Sequence, residues 1–189
     1  MRTIKIALAA MIILSGNILF AQKSEVDTKF SNVTWLGKKV GSKHEGNIQI
    51  KSGYLELFNN KIVAGNFVAD MTSITNTDIE NEGYNKKLVG HLKSDDFFGV
   101  EKFPTAHFEV AQSSKFNNGK ATITGDITIK GKTERISFET VKSGSQYSAS
   151  IDIDRSIFDV RYGSDSFFDN LGDKAIDDIF TLDVKLVVN

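Results

Sequence analysis

Three histidines, His44, His91 and His107, are the residues in this chain best suited to hold a metal or move a proton. No two of them stand two or four residues apart on one element with a carboxylate beside them, and there is no cysteine. That spacing is poor for a zinc site, so no metal is expected. Ser94 and Asp95 close behind His91 resemble a hydrolase set only on paper. A nucleophilic serine needs a sharp turn, a placed base and an oxyanion hole, and no G-x-S-x-G occurs. Gly131 and Gly144 are isolated turn glycines rather than a phosphate loop. The chain is therefore expected to be no enzyme. His44 and His91 are expected to make structural hydrogen bonds, with a polar contact to a ligand head group as their functional alternative. Asp70 stands on the opposite parity from Ala69 and Met71, which predicts a solvated or bulge-bonded carboxylate. Arg155 is expected to pair with Asp126, Asp152 or Asp178.

These side chains hang on a strongly alternating sequence. Ala121, Ile123, Ile127 and Ile129 interleave with polar residues; so do Tyr147, Ala149, Ile151 and Ile153, and again Phe180, Leu182, Val184, Leu186 and Val188. Period two of this kind predicts half-buried strands. Gly125 interrupts the first set and predicts a bulge or bend. Asn59-Asn60, Asn117-Asn118-Gly119, Lys130-Gly131-Lys132 and Ser143-Gly144-Ser145 supply hairpin turns. Further strands are predicted near Asn32–Lys39, Lys43–Lys51, Gly53–Phe58 and Lys61–Ser73, the last with a bulge around Gly65-Asn66. The fold class is all-β: an eight-stranded antiparallel barrel with one or two short helices, the strand number that can hold one small ligand.

One stretch breaks the pattern. Between Lys86 and Phe108 lie two of the histidines, the only proline, and Leu88, Val89 and Leu92 at helical spacing. Ser94 before Asp95 and Asp96 predicts an N-cap for a second helical turn, aiming Phe97 and Phe98 inward. Pro104 leads back into strand. A short helical plug between strands is the expected structure.

Residues 1–21 have the form of a signal peptide: Arg2 and Lys5, then an apolar run from Ile6 to Leu14, then Ala21-Gln22 as the cleavage point. The run is too short to span a membrane. Residues 22–189 then form one domain, periplasmic or secreted. Without cysteine it can be neither lipidated at its mature N-terminus nor disulfide-linked. A formal net charge of −1 argues against nucleic acid as partner. A membrane barrel would share the alternation, but a single Trp, the polar stretch around His91 and an end at Val187-Val188-Asn189 count against it.

Motifs in order along the chain sharpen this. They are Trp35, Lys38 and His44-Glu45-Gly46; Gly65-x-Phe67 with Asp70-Met71-x-Ser73-Ile74; and His91-Leu92-Lys93-Ser94-Asp95-Asp96-Phe97-Phe98 with Val100, Lys102 and Phe103-Pro104. Gly125-Asp126-Ile127-Thr128-Ile129-Lys130-Gly131-Lys132-Thr133 follows, then Asp154-Arg155-Ser156-x-Phe158 with Tyr162-Gly163, and Ile176-x-Asp178. Together they resemble the YceI-like family of exported bacterial proteins over nearly the whole mature chain. The segment around Trp35 and Gly37-Lys38-Lys39 departs from the opening associated with the isoprenoid-binding branch.

The resemblance implies a lipocalin-like barrel enclosing a polyisoprenoid, quinone or fatty-acid-like lipid, with no cofactor beyond that ligand. Apolar candidates for the ligand site are Trp35, Ile48, Phe67, Met71, Leu92, Phe97, Phe98, Phe103, Phe108, Ile123, Phe138, Ile151 and Phe158. His44, His91 and Arg155 are the polar candidates for its head group. A homodimer is left open, as in other family members, although no edge strand stands out. The alternative is a protein- or glycan-binding barrel module with a filled interior.

Overall fold

The computed structural model describes residues 21–189; the segment expected to be a signal peptide lies outside the described residues, apart from Ala21. Nine strands form one antiparallel sheet: β1 (Gln22–Glu25), β2 (Asn32–Lys39), β3 (Ser42–Phe58), β4 (Lys61–Asp70), β5 (Thr105–Ser113), β6 (Lys120–Ile129), β7 (Lys132–Ser143), β8 (Gln146–Asp154) and β9 (Ile179–Val187). Strands β2 to β9 close into an eight-stranded ring, because β9 pairs with β2 (Trp35↔Leu182) and β3 with β4. Strand β1 stays outside the ring on the edge of β3, in register Gln22↔Leu57.

The two strands expected around Ser52-Gly53 are one. Strand β3 runs for 17 residues, pairing first with β2 and then with β4. Gly53 does not turn the chain; it clears space for the Phe67 ring, whose Cδ1 would lie 2.8 Å from a Cβ there. The expected bulge near Gly65 is displaced: the register slips at Val63, between Glu56 and Leu57 on β3, and again at Lys51. The irregularity expected at Gly125 sits on its partner strand, where β5 slips between Val110 and Gln112. Such slips increase local twist and help a sheet curl towards closure.

Strands β4 and β8 end by the same device. Asp70 Oδ1 accepts from the Thr72 N–H and hydroxyl at 2.9 and 2.6 Å, starting a 3-10 turn at Met71–Ser73. Asp154 Oδ1 accepts from the N–H and hydroxyl of Ser156 at 2.9 and 2.6 Å, starting another at Arg155–Phe158. A short acidic side chain satisfies donors that the strand ladder has abandoned. Asp70 is thus a cap, and its Thr72 hydrogen bond holds the carboxyl below its ordinary pKa.

Helix α1 (Glu82–Lys93) crosses the end of the barrel reached by β4. Asn81 caps its N-terminus by accepting from the Tyr84 N–H at 3.1 Å. The role of Ser94 is the reverse of the expected one: it is the C-cap, its N–H bonding Gly90 and His91 carbonyls and its hydroxyl donating to His91 O at 2.7 Å. The chain then folds back, with Phe98 N–H donating to Leu92 O and Val100 N–H to Lys93 O. That hairpin of helix and turn drives Leu92, Phe97 and Val100 into the core. At the opposite end Leu55, Ile62, Phe116 and Tyr147 are buried. No helix among the described residues is long and apolar enough to cross a membrane.

Candidate functional site: an apolar cavity inside the barrel

Alternation puts one side chain in two inside the ring, and the interior is not filled. A cavity of about 260 Å³ remains, far more than the ~30 Å³ share of one water molecule. Its wall takes Trp35 from β2, Ile48 from β3, Phe67 from β4 with Met71 just beyond it, Phe108 from β5, Ile123 from β6, Phe138 from β7 and Ile151 from β8. Leu92, Phe97 and Phe98 form part of its cover. All of these were expected from the sequence. Not expected were Leu88, Ile136, Tyr147, Ala149 and Ile176, or the whole inward face of β9, Phe180, Leu182, Val184 and Leu186. The alternation of β9 was the signal that could have found that face.

Two glycines shape this wall by close approach. Trp35 lies opposite Gly46 across β2 and β3, and its indole N–H donates to the Thr75 carbonyl at 3.0 Å. A Cβ at Gly46 would run into that carbonyl. Gly125 on β6 lets the Phe108 ring lie across the strand, with Cε2 2.8 Å from where a Cβ would stand. The result is a row of rings: Phe67 to Phe108 at 6.4 Å between centroids, and Phe108 to Phe138 at 5.4 Å.

Three expected residues lie outside the lining. His91 packs edge-on against Tyr162 at 4.3 Å and Phe97 at 5.3 Å, behind the cover. Phe103 covers the β6–β7 turn, 2.8 Å from a Cβ at Gly131. Phe158 is fully buried, 0% exposed, beside the 3-10 turn that ends β8. A sequence face cannot separate a side chain that lines a void from one that packs behind it.

The polar groups gather at the rim. Lys38, Lys39, Lys43 and His44 of the β2–β3 hairpin and Asp177 border the cavity. His44 Nδ1 lies 2.8 Å from Asp78 Oδ2, while Asp78 Oδ1 accepts from the Glu45 N–H at 2.9 Å. Burial opposes charge on Asp78, but the bonds from Glu45, His44 and Asn76 outweigh it and lower its pKa. His107 bonds Thr105 at 2.9 Å, on β5. The three histidines are thus apart, and among the described residues no group of His, Cys, Asp or Glu could hold a metal.

Arg155 borders the cavity with its charge engaged elsewhere. Its guanidinium donates to the carbonyls of Val160 and Tyr162 at 2.8 Å, Ile176 at 2.9 Å and Asp177 at 3.1 Å. Its Nη2 is also 3.3 Å from Asp178 Oδ1, with 3% of the side chain exposed. Of the three carboxylates expected as partners, Asp178 is the one found; Asp126 pairs with Arg135 and Asp152 accepts from Thr181. Four guanidinium N–H groups thus meet loop carbonyls, while Asp178 Oδ1 stands at ion-pair distance and accepts no hydrogen bond. Arg155 folds the loop from 159 to 178 onto the end of the barrel, and its cation stands 5.6 Å over the Phe97 ring.

The model of the YceI-like domain matches residues 24–188. The chain belongs to the YceI-like family. Among solved structures this YceI-like domain is similar to Burkholderia cenocepacia BcnA, with TM-score 0.64 and 23% identity over 87% of this chain and 99% of that one. It is similar also to a polyisoprenoid binding domain from Saccharophagus degradans, with TM-score 0.60 and 12% identity over 90% and 99%. At those identities the likeness is one of fold. Curated relatives are UPF0312 proteins: 39% identity over 49 residues in Shewanella denitrificans and 32% over 74 residues in Vibrio parahaemolyticus. Those matches span 26% and 35% of the relatives' own length. The eight-stranded ring with one helix and a ninth strand outside is thus the YceI-like fold.

Proposed function

We propose that this YceI-like protein is an exported, non-catalytic carrier that encloses a long apolar molecule for sequestration or transport. The ligand class is a polyisoprenoid, a quinone or a fatty-acid-like lipid. The observation that carries this reading is the cavity wall: aliphatic and aromatic side chains from all eight ring strands, the charged residues that border it, Arg155 among them, standing near strand ends. Each methylene moved from water into such a wall contributes about 0.8 kcal/mol. The Saccharophagus degradans neighbour, described as a polyisoprenoid binding domain, adds support. Nothing in the cavity meets the roles that catalysis demands: the Ser94 hydroxyl donates to its own helix end, and Asp95 pairs with Lys102. The sequence of residues 1–21 favours the periplasm or the medium as its place of work.

Native mass spectrometry of residues 22–189 purified from a periplasm, with organic extraction of the same sample, tests this. A stoichiometric apolar adduct is expected, lost in Phe67→Glu and Phe98→Asp. A stable barrel that stays empty against a panel of quinones, prenols and fatty acids would replace this reading with that of a protein- or glycan-binding module.

A further inference from the structure

Strands β6 and β7 are paired throughout, from Lys120↔Val141 to Ile129↔Lys132. Strands β8 and β9 are paired throughout as well, from Gln146↔Val187 to Asp154↔Ile179. Between β7 and β8 the ladder has three rungs only: Ser143↔Gln146, Lys142↔Tyr147 and Val141↔Ser148. Beyond Ser148 the two strands face each other unpaired as far as Asp154. At the usual strand rise that is a gap on the order of 20 Å long.

The gap opens on the cavity. Ile136 and Phe138 on one margin and Ala149 and Ile151 on the other all line the void. All four are half-buried, whereas Tyr147 and Ile153, at the two ends of β8, are 4% and 2% exposed. Half-burial is shared by Phe108 on β5 and by Leu182 and Val184 on β9, and so marks side chains that border the void; what sets this seam apart is the missing ladder. The outward margins carry Arg135, Glu139 and Asp152, charges of the kind that keep an open strand edge from pairing with another chain. At its lower end the gap is bounded by the β7–β8 hairpin. Its upper end is fixed by Lys130, whose Nζ donates to Asp159 O at 3.0 Å and Asp95 O at 3.2 Å.

The helical cover is held by backbone bonds and by Lys93 Nζ on Thr72 O at 2.7 Å. Beyond Ser148, parting β7 from β8 breaks no ladder bond, because none is there. We infer that the cavity has a side window between β7 and β8, and that a flexible linear apolar chain enters and leaves through it. This rests on the lipid-binding reading. It adds that rigid fused-ring lipids, too wide for a gap between two strands, exchange slowly or are refused.

A staple across the gap tests this. Continuing the observed register, Glu139 and Ser150 come opposite each other on the outer face. The double variant Glu139→Cys/Ser150→Cys carries the chain's only thiols. It is closed by a disulfide or, where the Cα separation exceeds the ~7 Å disulfide limit, by dibromobimane. Uptake of a pyrene-labelled C16 fatty acid is followed by stopped flow. The unstapled form is expected to match wild type, and the stapled form to fill at least tenfold more slowly to the same occupancy. A control staple, Thr124→Cys/Ser137→Cys on the paired β6–β7 seam, leaves the rate unchanged. Equal rates with and without the β7–β8 staple would overturn the window. Amide hydrogen exchange of the ligand-free protein probes the opening without any lipid. Fast exchange is expected at the alternate amides of 149–154 that face β7, relative to β6, while those bonded to β9 stay protected; equal protection of both sets would also overturn the window. A protein that takes up no probe in any form, yet exchanges fast there, fails the lipid-carrier reading and keeps the opening.

Discussion

The Phe108 ring lies across the backbone of Gly125, occupying the space where any other residue would place its Cβ. The contact joins β5 to β6 inside the barrel and carries the ring row from Phe67 to Phe138. Gly125→Val is therefore expected to push Phe108 into the cavity. Overpacking of this kind costs about 1–3 kcal/mol, and ligand capacity should fall with it. Phe108→Leu in the same chain should restore only the part of the loss that the ring causes, because a Cβ at Gly125 also meets the Glu109 carbonyl. Thermal denaturation and adduct stoichiometry check both.

Trp35 is the only tryptophan of the chain, and it borders the cavity. Its emission is therefore a reporter of occupancy without any label. A quinone added to the ligand-free protein should quench it at equimolar ratio, whereas a saturated fatty acid should leave intensity and shift the maximum. Gly46→Ala, by displacing the Thr75 carbonyl from the indole N–H, should red-shift the emission before any ligand is added.

Arg155→Ala removes donors from four loop carbonyls and the ion partner of Asp178 at once. Breaking one side of a buried charge pair typically costs about 3–5 kcal/mol, and a loss of that size is expected by denaturant titration. Arg155→Lys should recover little, since an ammonium has three donors and no planar fork. Proteolysis between 159 and 178 should become rapid in both variants.

Acid should loosen the same loop. Burial works against the charge on Asp178, but hydrogen bonds from Ser164 and Ser166 and the Arg155 cation outweigh it and hold its pKa below the ordinary value. A carboxyl depressed on folding adds stability above its unfolded pKa, about 3.9, and that stability is lost as pH falls through the folded value. Melting temperature should thus drop more steeply below about pH 4 in wild type than in Asp178→Asn, the two curves converging at low pH. Parallel curves from neutral pH down to about pH 3 would remove Asp178 from the account.

The alternating strands were legible because each has one wet and one apolar face: β6, β8 and β9 fall where the periodicity puts them. Strand β1 was not, since Gln22-Lys23-Ser24-Glu25 is too short to alternate. The break expected at Ser52-Gly53 failed because a glycine that yields to a neighbouring ring has the same letter as one that turns a chain. Helix α1 starts earlier than its apolar spacing suggests; Glu82-Gly83-Tyr84-Asn85 has no apolar face, and only the Asn81 cap marks it. For the site, inward parity found a cavity residue on each of β2 to β8 and missed the inward face of β9. It could not find the carbonyls that occupy Arg155, because their positions depend on a loop with no repeating pattern. The short β7–β8 ladder was equally hidden, as both strands alternate well past the point where they part.

Closure of the ring joins Asn32 to Lys185 and Leu36 to Thr181. Until the last strand is available, β2 and β8 each lack a neighbour, and no partial product of synthesis can complete the barrel. Contacts of such long sequence separation make a slow folding transition state, because loop closure must precede the gain from pairing. The chain accordingly keeps an apolar interior exposed and two strand edges unprotected until residue 187 has arrived.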